Sequence, residues 1–391
     1  MNNGKDSEMD SGAVGYIEQF PILEHGLYAN HAAIAPWPRA TAQAVVDFAY
    51  ENCNLGPEKY SHWLLRETKL RRVLAKMLNA DSDKDIALLK NTTEGICTVA
   101  NGINWQSGDN IVLPADEFPS NHLPWLALQR LGVELREVDI RAAEDPEAAL
   151  IGRMDGRTRL LSVSAVQWID GFRLRLKSLG DACKQNNVLF FVDAIQQLGA
   201  LQLDVQACEI DFLAADGHKW MLAPEGLAVF YCRKSVRQQL GLNQQGWRMV
   251  DDPYQFTRED WSPSASATRF EAGTPNTVGQ AALYASLCVL QDAGMDAVER
   301  NITENSRALC AGLSDISGAR PVRPFDQSRV SGIVSFQTPD LDSTEVFRQL
   351  KRRQLSCALR ANAIRLSPHF YQTGTPIQEM LNVVEDVLIN M

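Results

Sequence analysis

From about residue 85 onward, short apolar runs alternate with longer segments in which apolar positions recur at helical spacing. The apolar runs have the length and residue types of buried strands. Such a strand–helix alternation predicts a mostly parallel sheet with helices on both faces, and therefore an α/β fold. The successive strand and helix segments are DIALLK with TTEGICTVANGI, DNIVLPAD with SNHLPWLALQRLG, TRLLSVSAV with LKSLGDACKQNN, and VLFFVDA with IQQLGALQLDVQACEI.

The alternation changes after the apolar run LAVFYCRK, at a polar segment that spans residues 251–267. A long helical pattern follows, and then a strand SGIVSFQT, a helix STEVFRQLKRRQ, a strand-like pair around LSCALRANAIRLS and a closing helix IQEMLNVVEDVLIN. This order is typical of a small α+β domain. We therefore predict a large α/β domain over residues 28–265, and a small domain built from residues 1–27 and 266–391.

Composition narrows the classes of function. The 391 residues are 45% hydrophobic and carry a formal net charge of −10, which argues against a surface that binds nucleic acid. No stretch approaches the ~18 apolar residues of a membrane span, and the N-terminus lacks the basic and apolar regions of a signal peptide. We expect a cytoplasmic protein without a nucleic-acid or membrane partner.

The cysteines and histidines indicate neither disulfides nor a metal site. The eight cysteines include no C-x-x-C pair, and a chain of this length needs no disulfide staples, so they are expected to be reduced thiols. None of the six histidines lies in an H-x-x-x-H or H-E-x-x-H arrangement, so no metal is expected.

A first candidate for ligand binding is the segment LLKNTTEGI, where a strand leads into a helix. Asn91 can cap this helix, with Glu94 three residues later completing a capping box. The hydroxyls of Thr92 and Thr93, with the N–H groups of the first helical turn, can also bind an anion such as phosphate. An ordinary capping box explains the same residues, so this segment alone does not decide between the two.

Two further strand ends carry residues that can take part in catalysis. Asp193 ends one of the most apolar strands in the chain, and Lys219 follows another such strand 26 residues later. Asp193 alone could be a turn or capping residue. A lysine that loses hydration has a more accessible free amine and can form an imine with an aldehyde. An imine-forming lysine, an aspartate for a pyridine nitrogen and a phosphate site together indicate pyridoxal phosphate (PLP).

The chain also resembles the class V aminotransferases of PLP fold type I, a group that includes cysteine desulfurases, isopenicillin N epimerase and kynureninase. The resemblance covers nearly the whole chain. It implies a large domain with a mostly parallel sheet of seven strands covered by helices, and a smaller C-terminal α+β domain. The motifs that carry it are YANHAAIAP, NTTEGI, DEFPSNHLPW, VDAIQQ, DGHKW with PEGLAVFY, RFEAGTPN and IRLSPHFYQT.

The resemblance assigns roles around the cofactor ring. It implies that Lys219 forms the internal aldimine, that Asp193 pairs with the pyridine nitrogen, and that Gln196 hydrogen-bonds the ring oxygen. Phe118 falls where the family stacks a ring on the cofactor face. Many desulfurases have His there, and a Phe can stack but cannot act as an acid or base.

Other residues are assigned to the cofactor phosphate. Thr93 and His218, together with Thr92, are implied to hold it within one chain. Thr274, in the segment EAGTPN, is implied to reach the phosphate of a neighbouring subunit. The expected assembly is therefore a homodimer in which Thr274 completes the neighbouring site.

The substrate is expected to be a small amino acid. Arg365 falls where the family anchors the substrate α-carboxylate, and a bidentate guanidinium suits that group. Arg360 is a second candidate cation. Asn30, His31 and Trp168 lie on segments that line the same pocket in the family.

Two positions depart from the family pattern. Ala165 stands where desulfurases carry an Asn that touches the ring oxygen, which leaves Gln196 alone in that role. Asp216 stands where relatives often have a small hydroxyl residue near the phosphate. Because a carboxylate would repel a phosphate, we expect Asp216 to point elsewhere, capping the following turn.

The predicted activity is PLP-dependent amino transfer, or β-elimination with C–S bond cleavage, since both use the same electron-accepting chemistry. A persulfide-forming cysteine desulfurase is an alternative, but that reaction needs a thiolate on a mobile loop. Cys357, in LSCAL, is the only thiol near Arg360 and Arg365, and it has the setting of a buried structural residue. A non-enzymatic PLP-binding module is a further alternative, which the presence of Lys219 and Asp193 disfavours.

Overall fold

The computed structural model describes residues 15–257, 259–323 and 326–391. Its strands are β1 (Leu27–Tyr28), β2 (Ile86–Leu89), β3 (Asn110–Pro114), β4 (Glu134–Val138), β5 (Thr158–Ser164), β6 (Leu189–Asp193), β7 (Phe212–Asp216), β8 (Ala228–Cys232), β9 (Arg320–Pro321), β10 (Val334–Gln337), β11 (Leu355–Ser356), β12 (Ala358–Arg360) and β13 (Ala363–Leu366). Its α-helices are α1 (Arg39–Leu55), α2 (Tyr60–Leu78), α3 (Thr92–Gly102), α4 (Leu123–Leu126), α5 (Pro146–Gly152), α6 (Leu176–Gln185), α7 (Lys234–Arg237), α8 (Thr277–Ala293), α9 (Met295–Asp315), α10 (Ser343–Arg352) and α11 (Thr375–Ile389).

The large sheet has seven strands in the order β2-β8-β7-β6-β5-β3-β4. Only β8 runs antiparallel to its neighbours, so the predicted mostly parallel sheet is confirmed. Alternate side chains enter cores on opposite faces: Phe190 and Val192 of β6 lie on one face and Phe191 on the other. Full burial of each such side chain contributes about 1.5–3 kcal/mol, which explains the continuous apolar runs of these strands.

One predicted helix is absent from the segment that joins β6 to β7. Residues 195–210 form successive turns instead. Gly199 has a φ of +95°, and a Cβ on it would lie 2.4 Å from the backbone oxygen of Trp220. Because only glycine permits this close approach, the segment folds tightly against the turn that contains Lys219.

The small domain contains a four-stranded antiparallel sheet in the order β12-β13-β10-β9. Helices α9, α10 and α11 share a core with this sheet through Leu309, Val346 and Val384. Strand β1 pairs in parallel with β11, which ties the N-terminal segment to this domain. The boundary at residue 265 stays a prediction, since Leu283 of the following helix α8 packs in the core of the large sheet.

Helix α3 packs closely on strand β7 at a glycine. A Cβ on Gly95 would lie 2.8 Å from the Cβ of Ala214, so a larger residue would push the helix away from the strand. The contact brings the first turn of α3 beside the carboxyl end of β7. Ligands bind at this edge of open α/β sheets. None of the helices in the described part of the chain is long and apolar enough to cross a lipid bilayer.

Candidate active site

A cleft of about 350 Å³ opens at the carboxyl ends of the large sheet and is closed on one side by strands β12 and β13. The sequence predictions converge on it from distant parts of the chain. The residues that line it are Ala32, Ala33, Ile34, Asn91, Thr92, Thr93, Phe118, Ser120, Trp168, Ile195, Gln196, Asp216, His218, Lys219, Arg360 and Arg365.

Lys219 lies in the turn that follows β7, with its side chain in the cleft. Burial lowers the pKa of its ammonium group to about 8, although the negative charge of Asp193 acts in the opposite direction. The amine Nζ is 5.8 Å from the centroid of the Phe118 ring. The lowered pKa gives this lysine a larger neutral, nucleophilic fraction near neutral pH than an exposed lysine has.

Asp193 ends strand β6 and is 3% exposed. Its carboxylate accepts one hydrogen bond of 3.0 Å from the N–H of Ile195. Burial raises the pKa of Asp193 to about 6, while this hydrogen bond and the charge of Lys219 lower it. The raised pKa means that the carboxylate is poorly solvated, so a cationic partner would stabilise its charged form.

Glu117 is a buried carboxylate that sequence reasoning missed. It accepts hydrogen bonds from the N–H of Ser164 at 2.6 Å, from the Ser164 hydroxyl, and from Nε2 of Gln167 at 3.3 Å. Burial raises the pKa of Glu117 to about 7. These bonds tie the loop that carries Phe118 to the end of β5. The sequence signal for Glu117 was a polar residue shortly after the buried strand β3, but the family pattern pointed only to its neighbour Phe118.

The first turn of α3 is both capped and open to the cleft. Asn91 Oδ1 accepts from the N–H of Glu94 at 2.8 Å, so the predicted cap forms, but the Glu94 carboxylate accepts from the N–H of Lys90 at 2.6 Å and not from that of Asn91. Thr92 Oγ1 accepts from the N–H of Asp216 at 3.0 Å, and Thr93 Oγ1 donates to Ser120 Oγ at 2.9 Å. The capping and anion-binding interpretations are therefore compatible in this structure.

Asp216 lines the cleft, while its carboxylate lies toward His218 of the following turn, and the expectation that it caps this turn stays a prediction. Its Oδ1 lies 2.9 Å from Nδ1 of His218, without the angles of a hydrogen bond. The carboxylate therefore lies against the imidazole of His218 and does not stand alone beside the site for anions. This pairing depends on the turn after β7, which the sequence pattern did not specify.

Gln196 lines the cleft with both ends of its amide engaged. Its Nε2 donates to the backbone oxygen of Ala32 at 3.0 Å, and its Oε1 accepts from Nε1 of Trp220 at 2.9 Å. The amide is thereby fixed in orientation. One N–H of the Nε2 group remains for a ligand.

Arg365, on β13, is 2% exposed and donates from Nη1 to the backbone oxygen of Trp168 at 2.6 Å. Its Nε is buried without a hydrogen-bond partner in the described structure. Burial, with a smaller contribution from the positive charge of Arg360, lowers its pKa to about 9. Because a buried, unpaired guanidinium is costly, this geometry favours binding of an anion.

Four predicted residues are not among those that line the cleft: Asn30, His31, Asp193 and Thr274. His31 is buried, with Nδ1 2.9 Å from the backbone oxygen of Ser367 and Nε2 2.7 Å from the Tyr371 hydroxyl. Burial, with a contribution from His369, holds the pKa of His31 well below its usual range. Asn30 makes a backbone bridge to Ser367, and the residues just after His31 line the cleft instead. Thr274 is exposed on the same chain.

Comparison with known proteins gives one consistent answer. The family model described as aminotransferase class-V matches residues 27–362. A probable cysteine desulfurase of Methanothermobacter thermautotrophicus is 31% identical over 392 aligned positions, which cover 94% of this chain and 96% of the relative.

Two solved structures of C-DES are 25% identical, each with a TM-score of 0.88 over 94% of this chain. In one, a variant has glycine covalently linked to the PLP cofactor, and 98% of that chain is covered. The other is the cystine C–S lyase with its product cysteine persulfide, and 99% of that chain is covered. With this fold and a family match over most of its length, the chain belongs to the aminotransferase class-V family of PLP-dependent enzymes.

Proposed function

We propose that this enzyme acts on a small amino acid, either by amino transfer or by β-elimination with C–S bond cleavage. The observation that carries the proposal is Lys219, a half-buried lysine whose pKa is lowered to about 8 and which the charge of the buried Asp193 influences. When bound, PLP supplies an aldehyde that condenses with amines and a ring that accepts electrons from the substrate.

The polar atoms of the cleft fit this cofactor. Lys219 supplies the amine for the aldehyde, and Asp193 gains the cationic partner that its raised pKa favours by holding a proton on the ring nitrogen. Gln196 can donate its remaining N–H to the ring oxygen, and Phe118 can stack on the ring. Ala165 offers no side-chain donor there, so Gln196 serves alone.

The phosphate is assigned to the first turn of α3 and its neighbours. Thr92, Thr93 and His218 line this end of the cleft, and Thr92 and Thr93 are the first residues of the helix. The N–H groups and the dipole of a helix N-terminus favour an anion. Thr274 of a second copy would complete the site in a homodimer, since its exposed position leaves it free to reach across.

Lys219 also has the properties of a proton carrier. The Lys219 amine is the group of the cleft that would take a proton from the substrate α-carbon and return it. A pKa near 8 lets it accept and return a proton near neutral pH, which is the requirement for general acid–base catalysis. Phe118, whose ring centroid lies 5.8 Å from this amine, cannot share that role. Arg365 holds the substrate α-carboxylate and so orients the bonds to be cleaved.

Borohydride reduction tests the proposal directly. We expect the purified protein to be yellow and to lose its long-wavelength absorption on reduction, with the cofactor fixed to Lys219 in a peptide map. Lys177→Ala, at an exposed lysine on α6, serves as the control and should label normally. Label on another lysine, or no cofactor uptake by wild-type protein, would refute the proposal.

A persulfide-forming cysteine desulfurase is the second candidate, because the Methanothermobacter relative carries the name probable cysteine desulfurase. The described structure places no thiol on the cleft. Cys357 is 5% exposed, and burial raises its pKa to about 12, which suppresses the thiolate that this reaction needs.

We therefore expect no cysteine-dependent alanine formation that relies on Cys357. The measurement is product analysis with L-cysteine for the wild type and for Cys357→Ser. Pyruvate, ammonia and sulfide from both proteins would favour the lyase. Alanine from the wild type, with a trapped persulfide that disappears in Cys357→Ser, would show that the desulfurase is correct.

A further inference from the structure

The cleft contains two guanidinium groups without an acidic partner. Across the described ranges, neither Arg360 nor Arg365 has a carboxylate within ion-pair distance, although both line the cleft. Arg365 donates to the backbone oxygen of Trp168, and Arg360 donates from Nη1 to the backbone oxygen of Leu359 at 2.9 Å. Each group thus retains donors and a full positive charge for a ligand.

Strand register places the two arginines side by side. Ala358 of β12 lies opposite Arg365 of β13, and Arg360 lies two residues further along β12. Residues two apart on a strand share a face, so the arginines are diagonal neighbours whose backbone positions lie about 7–8 Å apart.

The turn between these strands fixes the arrangement. Ala361 and Asn362 form a two-residue hairpin loop in which both residues have positive φ, 47° and 59°. Such a loop holds the strand register tightly, although Ala is strained in that region by about 1–2 kcal/mol. Arg360 immediately precedes the loop, so its position relative to Arg365 is set by the backbone.

The other charged groups near the cleft do not neutralise the two arginines, which are therefore available to bind the substrate. Asp216 lies beside His218 at the phosphate end, and the charge of the buried Asp193 acts on Lys219. One substrate α-carboxylate can neutralise only one of the two arginines. Because the two like charges repel each other, the cleft is complementary to a ligand with two separate negative charges.

We propose that the substrate is an acidic amino acid, with its α-carboxylate on Arg365 and a second anionic group of its side chain on Arg360. This inference rests on the proposed function, since it names the substrate class of the same site. It also assigns the two arginines different tasks. Arg365 recognises every α-amino acid, whereas Arg360 selects for the side-chain charge.

The test compares pairs of amino acids that differ in little but charge. Holoenzyme is titrated with L-aspartate and L-asparagine, and with L-glutamate and L-glutamine, and the change in cofactor absorbance gives each Kd. In at least one pair we expect the acid to bind about tenfold or more tightly than the amide, as for loss of a charge-assisted hydrogen bond. Arg360→Gln should bring this ratio close to one. Arg352→Gln, at an exposed arginine on α10, should keep the wild-type ratio.

Two results would overturn the inference. One is equal affinity for acid and amide in both pairs with wild-type protein. The other is an Arg360→Gln variant that loses affinity for acid and amide by the same factor, because both arginines would then hold one carboxylate.

A measurement without cofactor separates this inference from the proposed function. Calorimetry with succinate and its monoamide succinamate, on protein freed of PLP, reports on the arginine pair alone. Preference for succinate that Arg360→Gln abolishes would support the pair even if Lys219 took up no cofactor. No preference for succinate in wild-type protein would count against it even if Lys219 were labelled.

Discussion

Asp193→Asn is expected to retain PLP and to lower turnover roughly ten- to a hundredfold. The loss corresponds to about 1.5–3 kcal/mol, the contribution of a hydrogen bond to a charged group, if it is made fully only in the transition state. An amide is neutral, so it cannot hold the proton on the ring nitrogen. Asp193 is well suited to that task because burial leaves it with one described hydrogen bond and a raised pKa of about 6.

The measurement is kcat with a responsive amino acid, alongside cofactor content from absorbance. Asp315→Asn, at an exposed acid at the end of α9, is the matched control and should have wild-type kcat. An Asp193→Asn enzyme with full cofactor content and unchanged kcat would remove this carboxylate from the mechanism. Loss of the cofactor itself would instead assign Asp193 to binding.

Glu271→Ala is expected to lower the free energy of unfolding by about 3–5 kcal/mol, as for other broken buried ion pairs. Glu271 is 6% exposed and lies 2.6 Å from Nη1 of Arg71 and 3.6 Å from Nε of Arg248. Glu67 pairs with the same two arginines. Removing Glu271 leaves two buried cations with one anion in this network.

The same carboxylate also accepts a hydrogen bond from the edge strand of the large sheet. Glu271 Oε1 accepts from the N–H of Leu88 at 2.7 Å, on edge strand β2. Strand β2 leads directly to Asn91 and the first turn of α3. The substitution therefore leaves a buried N–H unpaired in the strand that positions the phosphate end of the cleft.

Urea unfolding followed by circular dichroism, at fixed protein and cofactor concentrations, measures this effect. Asp181→Ala is the control, since Asp181 pairs with Lys177 on the surface and such pairs contribute about 0–1 kcal/mol. Equal unfolding midpoints for the two variants would show that the buried network contributes no more than a surface pair.

Much of the fold was predictable from the sequence. The apolar runs of β5, β6 and β7 predicted a parallel sheet because strands buried on both faces need apolar side chains at every position. The segment after β6 was predicted as a helix because its apolar spacing is helical. The contact between Gly199 and Trp220 overrode that local preference, and no sequence window contains it.

Part of the candidate site was likewise predictable from the sequence, and part was not. The identities of Lys219 and Asp193, and their positions at the ends of buried strands, were enough to indicate imine chemistry and the cofactor that uses it. Glu117 gave a weak signal because its importance comes from burial against Ser164, which lies 47 residues away. His31 was expected to line the pocket, but its neighbours do so, since its two nitrogens contact partners near the C-terminus.

The sequence by itself determined which reactive groups are available: an amine, a carboxylate at the end of an apolar strand, and two arginines near the C-terminus. Only the tertiary structure decided the pKa values of these groups and the partners that they have. Burial lowers the pKa of Lys219 and raises that of Asp193, and it leaves Arg365 without an acidic partner among the described residues. The physical reason is that the cost of a charge depends on the solvent and partners around it, and distant segments supply both.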